Sequence, residues 1–301
     1  MLAIYLKSYD AFLLLEKGLA QASRFAYMND LKKLDEFFLL KSYDFPLSGL
    51  NLTHLQEFLK YLNELGLATA SQARMLSSIK SFFSFIVMER ILEVSPADLL
   101  EAPKLDKKLP EVLSYNEIEM LLSAIDLSKN EGHRNRAMLE VLYACGIRVS
   151  ELTGLRISNL YIDIGFIRVL GKGNKERLVP IGEGAIKFLL FYLDERKQLE
   201  NIDKKSEDIV FLNRRGKQLT RNMIFLIVKE AAHAAGIEKN VSPHTFRHSF
   251  ATHLIEGGAD LRIVQQLLGH ESITTTEIYT HLDMNFLRET LRSFHPRMNR
   301  K

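Results

Sequence analysis

Between residues 25 and 38 the apolar side chains Phe25, Met28, Leu31, Leu34, Phe37 and Phe38 recur three or four positions apart. That spacing lines one face of an α-helix. The opening stretch MLAIYLKSYDAFLLLEKG mixes apolar residues with Lys7 and Asp10 and predicts an amphipathic helix. Thr53 followed by Gln56 has the form of a capping box opening LTHLQEFLKYLNELG, which Gly66 closes. SQARMLSSIKSFFSFIVMER adds a further long helix. Residues 1–93 therefore predict a four-helix N-terminal domain.

The pattern breaks between Val94 and Leu113, where Pro96, Pro103 and Pro110, three of the seven prolines, alternate with Lys104, Lys107 and Lys108. Proline blocks helix propagation and favours extended chain, so residues 94–113 are expected to be an interdomain linker. A capping box at Ser114 and Glu117 predicts a new domain over residues 114–301. Its helical stretches NEIEMLLSAI, HRNRAMLEVLYACG and VSELTGL lead to IGFIRVLGKGNKERLVPI, which alternates apolar and polar residues about a Gly-Lys-Gly-Asn turn. That is hairpin patterning. Helical spacing returns from Gly184 onward. The expected fold is mainly α with a small β-hairpin or sheet, in two domains.

Charge alters this picture only locally. Residues 1–105 carry 11 Lys/Arg and 12 Asp/Glu, leaving 29 and 25 for the remainder. The excess of +4 gathers in runs such as Arg168–Arg177 and Arg214–Arg221, a modest electrostatic footprint for DNA. The single cysteine, Cys145, excludes an intramolecular disulfide framework and a multi-cysteine zinc site. Its apolar surroundings in MLEVLYACG suit packing. No stretch approaches ~20 uncharged apolar residues, so no membrane span is expected, and the N-terminal segment has no signal-peptide cleavage pattern. A cytoplasmic protein is expected.

The candidate chemistry is carried by six residues. Arg148 stands in ACGIRVSELTGL, Lys172 in the hairpin tip, His244 and Arg247 in SPHTFRHSFATHLIEGG, and His270 and Tyr279 in LLGHESITTTEIYTHLD. Locally, Arg148 reads as a solvated arginine, Lys172 as an exposed turn lysine, His270 as a helix C-terminal cap and Tyr279 as one packing tyrosine among ten. Together they form a kit for phosphoryl transfer without metal. Arginine forks match phosphate oxygens, a tyrosine hydroxyl can attack phosphorus, and histidine and lysine can move protons. Ser242 and Pro243 open a helix that puts His244 and Arg247 on one face, packed through Phe246, Phe250 and Leu254. The His244–His248 spacing could suit zinc, but no third ligand is evident and the HExxH glutamate is missing. His248 and His253 read as structural or DNA-proximal. Glu151, one turn after Arg148, could orient it, and Lys175 and Arg177 add charge that could contact phosphates.

Arg148, Lys172, His244-x-x-Arg247, His270 and Tyr279, in that order, resemble the tyrosine recombinase (lambda-integrase-type) family. GKGNKERLVPIG and LLGHESITTTEIYTH are most similar to its Xer recombinases. The resemblance covers nearly the whole chain. It implies a two-domain C-clamp, with an N-terminal SAM-like core-binding domain and a C-terminal mixed α/β catalytic domain closing on duplex DNA. By resemblance, Tyr279 is the nucleophile and forms a 3′-phosphotyrosyl link. Arg148, Arg247 and His270 hold the non-bridging oxygens, His244 assists at the nucleophile, and Lys172 protonates the leaving 5′ hydroxyl. No cofactor is implied.

The implied partners are a double-stranded DNA core site and a homo- or hetero-tetramer on two duplexes, with a second Xer-type recombinase and a DNA-translocase activator as further candidates. The segment LDMNFLRETLRSFHP carries an apolar stripe (Leu282, Phe286, Leu287, Leu291, Phe294), and the resemblance implies that it docks in trans on a neighbouring protomer. Four rivals stand beside this reading. They are a mobile-element integrase, which often carries an extra N-terminal arm-binding domain, a type IB topoisomerase, a non-catalytic DNA-binding protein, and a tail folded onto its own domain.

Overall fold

The computed structural model describes residues 1–103, 111–171, 175–269 and 281–298. The chain divides into two compact units, Met1–Lys108 and Leu109–Lys301. The first contains the four expected helices: α1 (Ala3–Leu15), α2 (Gln21–Leu40), α3 (Leu52–Glu64) and α4 (Thr69–Met88). The stripe of α2 buries Leu31, Leu34, Phe37 and Phe38 against Phe58 of α3 and Phe82 and Phe83 of α4. Phe25, one turn outside it, is exposed. α3 starts earlier than Thr53 suggests, because Asn51 accepts from the His54 amide while the His54 ring accepts from the Asn51 amide. Asn and Asp cap as well as Thr does, and here the Asn won.

The expected linker behaves differently along its length. Ala97 and Leu100 are fully or nearly fully buried in the core of the first unit. Leu113 belongs to the core of the second, its amide donating to Ser249 Oγ at 2.9 Å. The boundary between the units falls within the expected segment, but residues 94–100 pack as part of the first unit.

The second unit begins with α5 (Tyr115–Ser123), capped by Ser114 and Glu117 as expected. α6 (Gly132–Cys145) is buried on most sides, its apolar run forming the centre of the core. α7 (Val149–Thr153) follows, then an antiparallel sheet of β1 (Leu160–Tyr161), β2 (Phe166–Leu170) and β3 (Glu176–Pro180). β2 and β3 are the expected hairpin, in register Val169↔Arg177. The two-residue β1 is too short to leave a periodic signal. α8 (Glu183–Arg196), α9 (Arg221–Ala234), α10 (Pro243–Glu256), α11 (Leu261–Leu268) and α12 (His281–Phe294) complete the unit. No helix among the described residues is long and apolar enough to cross a membrane.

The tail folds back on its own unit. Leu287 and Leu291 of α12 are buried in a small core with Phe250 and Leu254 of α10 and Val264, Leu267 and Leu268 of α11. Arg288 lies over the Phe166 ring at 5.1 Å, and Arg297 pairs with Glu119 and the buried Glu140. In this structure Leu287 and Leu291 of the apolar stripe are covered in cis while Phe286 is exposed, and docking in trans belongs to the proposal below.

Candidate active site

The site grows from the end of α6. Gly146 adopts φ +56°, the left-handed conformation that ends a helix at little cost only for glycine. A Cβ there would meet the Phe250 ring of α10 at 2.3 Å. The turn hands the chain to Arg148, the N-cap of α7, whose amide donates to Glu151 Oε2 at 2.7 Å. The Arg148 side chain, about a third exposed, donates from Nη1 to Glu151 Oε1 at 3.0 Å and from Nη2 to the Gly269 carbonyl at 3.3 Å.

Arg247 arrives from α10. Ser242 caps that helix by accepting from the Thr245 amide, Pro243 fills its first turn, and Phe246, Phe250 and Leu254 form its packing face. The guanidinium of Arg247 is buried and donates to the Gly146 carbonyl at 2.7 Å and the Leu268 carbonyl at 2.6 Å. Burial, then the nearby Arg148 and Arg177, push its pKa down to about 10, so it stays cationic at neutral pH. His244 is exposed on the first turn of α10, and His248 is half-buried.

α11 ends as expected, with Gly269 at φ +66°. The last carbonyls of a helix lack partners within it and carry the negative end of its dipole. Here Leu267, Leu268 and Gly269 each accept from a different arginine: Arg177 at 3.0 Å, Arg247 at 2.6 Å and Arg148 at 3.3 Å. His270 is the next residue in sequence. Lys172, His270 and Tyr279 lie outside the described residues, so the structure brings together Arg148 and Arg247, with His244 exposed on the same helix as Arg247.

Arg177 corrects an expectation. It is not an open phosphate contact, because its side chain is buried on the core-facing side of β3. Its fork meets both oxygens of Glu151, Nη1 to Oε1 at 2.7 Å and Nη2 to Oε2 at 2.9 Å. Burial alone would raise the Glu151 pKa, but hydrogen bonds and charge from Arg177, then Arg148, hold it below the ordinary carboxylate range. Strand alternation was the available signal, since Arg177 shares parity with the buried Val179. Lys175 is exposed, consistent with a surface cation.

Other candidates resolve simply. His253 is buried and structural: its Nδ1 lies 2.8 Å from the Tyr143 hydroxyl, and burial lowers its pKa. Tyr143 and Tyr192 are poor alternative nucleophiles. Both are buried, which raises their pKa, and the Tyr192 hydroxyl donates to the Val210 carbonyl while accepting from the Leu212 amide. Cys145 is buried with a raised pKa, a packing residue as expected.

Residues 111–285 match the phage integrase family, and residues 6–90 match the phage integrase N-terminal SAM-like domain. The chain is 46% identical over 300 residues to tyrosine recombinase XerD of Chlorobaculum tepidum, covering 97% of this chain and 96% of that protein. It is 43% identical over 293 residues to tyrosine recombinase XerD of Staphylococcus aureus, covering 97% and 98%. Among solved structures, XerH recombinase in a post-cleavage complex with palindromic difH is similar with TM-score 0.71 and 28% identity, covering 92% of this chain and 81% of that one. A lambda integrase tetramer on a Holliday junction shares the fold, with TM-score 0.71 at 18% identity over 93% of this chain and 80% of that one. The chain belongs to the phage integrase family, the tyrosine recombinases. Within it, the chain is a Xer-type site-specific recombinase, an enzyme that cuts and rejoins DNA.

Proposed function

We propose that this recombinase binds a double-stranded DNA core site and breaks it by transesterification onto Tyr279. The tyrosyl oxygen forms a bond to the scissile phosphorus as the bond to the 5′ oxygen breaks, leaving a 3′-phosphotyrosyl link. Arg148 and Arg247 hold the non-bridging oxygens, whose charge grows in the pentacoordinate state. His270 adds a hydrogen bond, His244 assists removal of the tyrosyl proton, and Lys172 supplies a proton to the departing 5′ oxygen. The phosphodiester energy is kept in the protein link, so rejoining needs neither nucleotide nor metal. The observation that carries this reading is the convergence of Arg148 and Arg247, from distant parts of the chain, on the last carbonyls of α11, immediately before His270.

At the larger scale both units contribute to DNA binding. Four protomers act on two duplexes, as one chain or with a second Xer-type recombinase, and the tail after Tyr279 leaves its own unit to dock on a neighbour. The task is the resolution of chromosome or plasmid dimers at segregation, with a DNA translocase as activator. A nicked suicide duplex carrying the chromosomal core site tests the chemistry. Tyr279→Phe should bind it normally and form no covalent adduct, because only the attacking oxygen is lost. Adduct at wild-type yield would overturn the assignment of the nucleophile.

A further inference from the structure

Arg177 sits where the strands of the site meet, and nothing in the proposed chemistry uses it. It joins three parts of the chain. Its fork grips Glu151, which holds Arg148 by both backbone and side chain. Its Nε donates to the Leu267 carbonyl at the end of α11. Its guanidinium also fills the space beside two glycines. A Cβ on Gly269 would stand 3.0 Å from Nη1, and one on Gly171 would stand 3.5 Å from both Nη1 and Glu151 Oε1. Gly171 immediately precedes Lys172 in the chain, and Gly269 immediately precedes His270. One buried side chain therefore packs against the residue next to two of the six candidate catalytic groups and holds a third through one carboxylate.

The charge balance gives this position its meaning. Glu151 is buried, and each of its oxygens accepts two hydrogen bonds, one from Arg148 and one from Arg177. With Arg177 removed, Arg148 would be the one cation among the described residues still hydrogen-bonded to the buried carboxylate, and a buried charge draws strongly on its remaining partner. With Arg177 present, the group of Arg148, Arg177, Arg247 and Glu151 carries a net charge of +2. A phosphodiester carries a single negative charge and its pentacoordinate state two. We infer that Arg177 is a positioning residue, one that neutralises Glu151 and thereby leaves the Arg148 guanidinium free to serve the transition state. This rests on the proposed role of Arg148 at the scissile phosphate.

The test is single-turnover cleavage of the nicked suicide duplex at saturating protein, measured beside duplex affinity and thermal denaturation. Arg177→Met should bind DNA within about threefold of wild type yet cleave about 10²-fold more slowly, the scale of losing one preorganised charge interaction. Arg177→Lys, which keeps the charge without the fork, should fall between. The discriminating variant is Arg177→Met combined with Glu151→Gln, because removing the stranded carboxylate should recover at least about tenfold of the lost rate. If Arg177→Met melts before it can be assayed, Arg177→Gln, which also removes the charge but keeps a polar side chain, gives the same comparison with and without Glu151→Gln. A loss of affinity equal to the loss of rate would make Arg177 a phosphate contact and overturn the inference. So would a slowed variant that Glu151→Gln fails to rescue, since Arg177 would then be scaffold alone. In either case wild-type adduct formation, and its loss in Tyr279→Phe, would still stand for the underlying chemistry.

Discussion

At the scale of single residues, the two arginines are presented by main chain. Arg247 is anchored by the Gly146 and Leu268 carbonyls, and Arg148 by Glu151 and the Gly269 carbonyl. Neither has to be ordered by substrate, and preorganised donors of this kind act mainly in the transition state. Arg148→Ala and Arg247→Ala should each lower single-turnover cleavage by roughly 10²–10³ while changing DNA affinity far less. Equal losses in rate and affinity would mark them as simple phosphate anchors. The sequence made these arginines legible through the order of six motif positions, which local composition could not have done. It misjudged Arg177 because the glycines and cations of the hairpin tip suggested an open loop. The alternation continues to Arg177, however, which puts it on the same side as Val179, and a buried cation then requires a buried anion. Glu151 is that anion.

At the scale of elements, α12 matters because of what anchors its end. His295, just beyond it, is fully buried against the rings of Tyr143 at 4.9 Å and Phe250 at 5.3 Å. Burial, then the neighbouring His253 and Arg297, push its pKa down to about 3. In the unfolded chain a histidine titrates near pH 6.5. Between about pH 3 and 6.5 the unfolded state therefore binds more protons than the folded one, and stability is lost as pH falls through that window. At pH 5 the loss from His295 amounts to about 2 kcal/mol, and His253, shifted in the same direction, adds to it. The melting temperature should drop between pH 7 and pH 5, and His295→Leu should flatten that drop. An unchanged slope in the variant would mean that His295 is not held neutral. The stripe of α12 was legible from its spacing, since Leu287 and Leu291 are buried as a pair. The surface it would choose was not, because a period reports that a face must be covered and says nothing about by what.

At the scale of the whole molecule, two cores within one chain were legible because each half carries its own periodic apolar positions and its own caps. The seam was less so. Prolines at 96 and 103 suggested extended chain free of both domains, and residues 94–100 carry too few apolar positions to show a period. The structure makes a turn there instead, with the Leu100 amide donating to the Ala97 carbonyl at 3.1 Å, and a turn can still be core. Ala97 is fully buried, Leu100 nearly so, and the Asp98 carbonyl accepts from Lys80 Nζ of α4 at 3.3 Å. A fragment ending at Glu93, where the helical pattern stops, should therefore be less stable than one ending at Pro103. Burying a leucine contributes about 2 kcal/mol, and for a domain near 100 residues that corresponds to a melting temperature lower by about 10 °C. Both fragments should show helical circular dichroism, since α1 to α4 lie within each. Thermal melts of residues 1–93 and 1–103 under identical conditions give the comparison, with Leu100→Ala in the longer fragment expected to lose a large part of the same difference. Coincident melts would mean that residues 94–100 contribute nothing to the first core and form a linker in energy as well as in sequence.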